Sequence, residues 1–137
     1  MEIRVHKLKI DDYGYDPPHT QVFISNEGFS ARQEDYIDES YWLTFGNELQ
    51  SFPKTLKHEV IFGEPHFPIF FRAFVYDGLG HSALEVRINN SAPPPYSASV
   101  HFYILCEVAT LNRLGKLLEK WIRSGEREFM FMTNEKL

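Results

Sequence analysis

Phe70-Phe71-Arg72-Ala73-Phe74-Val75-Tyr76, the turn Asp77-Gly78-Leu79-Gly80, and the run Ser82-Ala83-Leu84-Glu85-Val86-Arg87-Ile88 decide the fold class of this chain. Successive side chains of a strand point to opposite faces, so Ser82, Leu84, Val86 and Ile88 share one face and Ala83, Glu85 and Arg87 the other. A loop from Asn89 to Pro95 leads to a third run, Ala98, Val100, Phe102 and Ile104 against Ser99, His101 and Tyr103. Strands joined by such short connections pair antiparallel. Leu111, Leu114, Leu118, Trp121 and Ile122 then make one helical stripe, with Thr110 as the expected cap and Gly125 where a left-handed C-terminal residue belongs. Lys120 and Arg123 near its end suit the helix dipole.

Working back towards the amino terminus, Ile3 and Val5 alternate with Arg4 and His6 as a first strand, followed by a polar connection from Asp11 to Pro18. Thr20, Val22 and Ile24 make a second strand, Asn26-Glu27-Gly28 a hairpin turn, and Phe29 to Tyr36 the returning strand. Asp38 or Ser40 caps a short helix carrying Tyr41, Trp42, Phe45 and Leu49, which Pro53 ends. Val60-Ile61-Phe62 is placed to pair with the strand that begins near Phe67. Beyond Gly125, Glu126 to Met132 either adds an edge strand or is a disordered end. The expected architecture is α+β: a curved antiparallel sheet of about six to seven strands with two helices packed on one face. Residues 1–137 are expected to form a single domain.

A formal net charge of −5 gives no basic stripe for phosphates, so no nucleic-acid partner is expected and a basic protein partner fits better. Aromatic residues make up 15%, enough to build the core from a few large side chains. Cys106 is the sole cysteine, which excludes an intrachain disulfide and a thiolate metal cluster. No apolar run approaches a membrane span, and the amino terminus lacks the apolar core of a leader. A cytoplasmic protein without a membrane partner is the expectation.

The residues capable of chemistry are scattered. His58-Glu59 with Glu64 and His66 match no ligand spacing, and no metal site, cofactor or catalytic residue is assigned. His81 or His101 would serve as a base if paired with Glu85, yet no nucleophile accompanies them: Ser82 has no glycine-flanked elbow, and Cys106 ends an apolar strand. The isolated glycines form no phosphate loop, and Trp42 and Trp121 lie on helical stripes as core anchors.

Phe23, Phe70, Phe74, Tyr76, Tyr103 and Leu105 fall out of phase with the core-facing residues, where a one-sided sheet would carry polar groups. Either the sheet curls and fills this side itself, or the side meets another chain, including a second copy as a homodimer. Glu34, Asp35, Asp38 and Glu39 would add an acidic rim, so these four with Phe70, Phe74, Tyr76 and Tyr103 are the candidate partner contacts. The alternative is a small-ligand-binding protein or enzyme using a concave aromatic face with His81, His101 and Glu85 at its mouth.

The order of Gly28-Phe29-Ser30, Gln33-Glu34-Asp35-Tyr36, Phe45-Gly46 with Leu49, Phe52-Pro53, Gly80-His81 and the leucine-rich closing helix resembles the small bacterial WapI-type immunity proteins over residues 20–124. The resemblance implies an antiparallel sheet with two packed helices, no cofactor, and neutralisation of a toxin domain by direct contact. It carries no family site onto particular residues.

Overall fold

The computed structural model describes residues 1–8 and 18–134. Most of the connection expected before Pro18 lies outside them. The strands are β1 (Glu2–Lys7), β2 (His19–Asn26), β3 (Phe29–Tyr36), β4 (Val60–Phe62), β5 (Ile69–Val75), β6 (Ser82–Asn89), β7 (Ser99–Cys106) and β8 (Glu128–Met132). The helices are α1 (Glu39–Gln50) and α2 (Val108–Ser124).

The fold is α+β with two helices, as expected, but the single curved sheet is replaced by two antiparallel sheets of four strands, β3-β2-β1-β8 and β4-β5-β6-β7. Each helix carries the chain from one sheet to the other: α1 follows β3 and precedes β4, and α2 follows β7 and precedes β8. Alternation along a strand identifies the buried face without saying which distant run lies beside it. Two sheets with the same periodicity therefore read as one.

The tail is ordered as β8, pairing with β1 so that Phe129 lies opposite Val5 and Phe131 opposite Ile3. Both phenylalanines are buried. One core takes in Ile3, Val5, Val22 and Ile24 from the first sheet and Val60, Phe71, Leu84, Val86 and Ile104 from the second, closed by Trp42, Phe45, Leu49, Leu111, Leu114 and Leu118 from the helices. A line of rings crosses it: Phe62 lies 4.3 Å from Trp42, Trp42 meets Trp121 edge-on at 5.9 Å, and Trp121 lies 5.5 Å from Phe129.

Asp38 caps α1, accepting from the Ser40 amide at 2.8 Å. At α2 the expected cap at Thr110 is displaced: Glu107 holds that position, without a side-chain cap bond, and Thr110 is buried in the first turn. The helix begins as soon as the chain leaves β7, so the turn after Cys106 sets its start. Gly125 ends α2 with φ 74°, the left-handed geometry expected. The helices cross at glycines, since a Cβ on Gly46 would stand 2.9 Å from the Gly115 carbonyl oxygen and one on Gly115 only 2.5 Å from that of Gly46. Asn112 of α2 donates to the Leu49 and Phe52 carbonyls at 2.7 and 2.9 Å, satisfying the end of α1.

Candidate functional site

Two surfaces carry the residues singled out in the sequence. The first is the outer face of the second sheet, where register sets Glu85 between Arg72 of β5 and Tyr103 of β7, and Arg87 between Phe70 and His101. Glu85 is buried, with 2% of its side chain exposed. Its carboxylate accepts from Arg72 Nε at 2.6 Å, Arg87 Nε at 3.0 Å and the Tyr103 hydroxyl at 3.3 Å, and meets His101 Nε2 at 2.7 Å. Arg72 reaches on to Glu59 at 2.9 Å. Burial alone would raise the Glu85 pKa; the hydrogen bonds from Arg72, His101 and Arg87 outweigh it and bring the group down to about 2. Burial would lower the Arg72 pKa, but hydrogen bonds and charge from Glu85 and Glu59 leave it raised.

The aromatic residues on this face are covered by arginines. Arg72 lies over the Phe74 ring at 4.0 Å, Arg87 over Phe70 at 5.8 Å, and Phe74 meets Tyr103 edge-on at 5.9 Å. Phe70 is thereby 3% exposed, while Tyr103 and Leu105 remain about half exposed. Phe23 belongs to the other sheet, where Arg4 and Arg32 flank it. Tyr76 lies past the end of β5, stacked on His81. His81 binds Asp77 within the β5–β6 turn, so of the two histidines only His101 joins Glu85. A carboxylate held ionised by four partners is a poor proton acceptor at neutral pH. The arginines, which make this face what it is, went unassigned in the sequence because a charged residue on an alternating strand reads as solvent-facing.

The second surface is a groove of about 450 Å³ where the end of β3, the start of α1 and the β4–β5 turn meet. Tyr36, Tyr41, Phe62, Phe67 and Pro68 line it, and Asp35 and Asp38 stand at its border. Tyr41 meets Phe62 at 6.1 Å and Phe67 at 6.4 Å, edge to face. Asp38 has a lowered pKa, chiefly through the hydrogen bond from the Ser40 amide. Among the described residues neither aspartate has an ion-pair partner. The four acidic residues of the segment do not act together: alternation turns Glu34 to the opposite face of β3, where it pairs with His19 at 3.1 Å. Glu39 pairs with the buried Lys7 at 2.8 Å. Tyr41 and Phe67, on separate elements, carried no signal that they would meet.

A larger hollow, about 730 Å³, lies over the outer face of the first sheet. Of the charged residues that line it, Arg4 pairs with Glu2 and His6 faces Glu128, while Arg32 lies over the Phe23 ring. Among the described residues no group of three or more His, Cys, Asp or Glu is arranged to hold a metal ion. His58 accepts from the Lys54 amide and His66 faces Glu64, so the run of histidines and glutamates is divided among separate local contacts. No described helix is long and apolar enough to cross a membrane.

No family of known sequences, no curated protein and no solved structure matches the chain.

Proposed function

We propose that this chain is a non-catalytic protein-binding domain, an immunity-like factor of the bacterial cytoplasm that neutralises a basic toxin domain by direct contact. The observation that carries this reading is the groove bordered by Asp35 and Asp38. Two carboxylates with no cationic partner among the described residues stand beside exposed aromatic surface. A lysine or arginine of the partner would find its charge matched at the border and its stem or guanidinium plane accommodated by Tyr41 and Phe67. The net charge of −5 adds long-range attraction for a basic partner. The Glu85 network supports the same reading, since its carboxylate is held by four partners and offers this face shape and fixed charge.

The test uses a double variant, Asp35→Asn with Asp38→Asn. Asparagine keeps the cap at Ser40 and the acceptor that Asp35 offers to the Tyr36 amide, and removes only charge. Where a basic toxin domain is encoded beside the gene, calorimetric titration with that domain is expected to show tight binding by the wild type. The double variant should bind about tenfold more weakly and with a shallower salt dependence. No binding by the wild type, or equal affinity and salt dependence for both proteins, would overturn the reading.

A further inference from the structure

Among the described residues the two sheets leave four free edges, and these are unlike one another. An exposed edge offers a row of unpaired amides and carbonyls to any passing strand, and proteins protect it with charge, proline, bulges or brevity. β3 carries Arg32, Glu34 and Asp35; β4 is three residues long; β8 has five residues and opens with Glu128 after Arg127. β7 has none of these devices. Its eight residues, Ser99 to Cys106, include no Lys, Arg, Asp, Glu, Pro or Gly, and they pair with β6 at every position without a bulge. Among the described residues, the side of β7 away from β6 makes no backbone hydrogen bond between Ser99 and Leu105.

We infer that β7 is a strand-pairing edge whose occupant is a second copy of this chain, the two joined edge to edge about a two-fold axis. Two four-stranded sheets would then run on as one of eight. Antiparallel pairing about a two-fold sets a strand against itself, so any charge near its centre meets its like; β7 carries no Lys, Arg, Asp or Glu, and its histidine, His101, faces the Glu85 carboxylate of its own copy at 2.7 Å. The half-exposed Tyr103 and Leu105 project from the outer face of this strand, where aromatic and aliphatic cross-strand pairs are favourable. The inference is independent of the toxin-binding reading, because the groove at Asp35 and Asp38 borders β4, the opposite edge of this sheet.

Sedimentation across a range of concentrations, with amide hydrogen exchange at the two ends of that range, tests it. The wild type is expected to dimerise reversibly, with amides of β7 exchanging more slowly in the dimer. Leu105→Lys, at a half-exposed site, should weaken association by about tenfold, whereas Met130→Lys on the β8 edge should leave it unchanged. Added salt should strengthen association, because each copy carries −5, while it weakens contact with a basic partner. A monomer at every concentration, a dimer with unprotected β7 amides, or a dimer sensitive to Met130→Lys and indifferent to Leu105→Lys would overturn the inference. Should Leu105→Lys melt at low temperature, the exchange pattern of the wild type decides alone.

Discussion

A carboxylate with 2% of its side chain exposed is costly unless donors surround it, and Glu85 has Arg72, Arg87, His101 and Tyr103. Its pKa in the folded protein, about 2, lies below the 4.5 of an ordinary glutamate. The stability this supplies is therefore fully present above about pH 4.5 and is lost as pH falls towards about 2. A difference of that size corresponds to at most about 3 to 4 kcal/mol, and to less once solvent screening of the half-exposed Arg87 and His101 is counted. Glu85→Gln should cost about 2 to 3 kcal/mol at neutral pH and flatten the acid limb of the stability profile. Urea unfolding of both proteins at neutral pH and between the two pKa values checks it; parallel profiles would show the network to be energetically idle. Strand alternation offered Glu85 to either His81 or His101, and only His101 meets it, His81 being held by Asp77. Alternation did not place the arginines, because their role depends on register between strands.

At the scale of elements, the helix pair depends on Gly46 and Gly115, where backbone meets backbone. A Cβ on Gly115 would approach the Gly46 carbonyl oxygen to 2.5 Å and the Leu49 Cβ to 2.7 Å, and neither can move without parting the helices. Gly115→Ala is expected to destabilise by about 1 to 3 kcal/mol despite the helical preference for alanine, measured by chemical denaturation. An unchanged or raised midpoint would mean that the crossing is looser than its geometry states. Both helices were legible as apolar stripes, and so were the Gly125 terminus and a cap at Asp38 or Ser40, of which Asp38 holds the position. The crossing was not, because a glycine inside a helix looks the same in sequence whether it tolerates a neighbour or requires one. Thr110 misled for a related reason: a residue of the capping type stood one turn inside the helix, and the chain turned earlier.

For the whole molecule, the division into two sheets makes the closing segment part of the core. Phe131 is 3% exposed and its neighbour Met132 is 61% exposed, so the two sort the tail's contribution by face. Phe131→Ala should cost about 3 to 5 kcal/mol and Met132→Ala less than about 0.5, compared by urea midpoint. Equal and small effects would mean that β8 is dispensable. Hairpin neighbours such as β2–β3 and β5–β6 were readable from turns and alternation. The pairing of β1 with β8 joins the two ends of the sequence and has no local signal, so the sheet count had to come from structure. The line of rings through the centre has a further use. The chain's two tryptophans, one on each helix, are each in contact with a phenylalanine of a different sheet. Their coupled ultraviolet absorption and emission thus form a built-in optical gauge: light from one indole pair registers whether both layers are docked at once, with no dye attached.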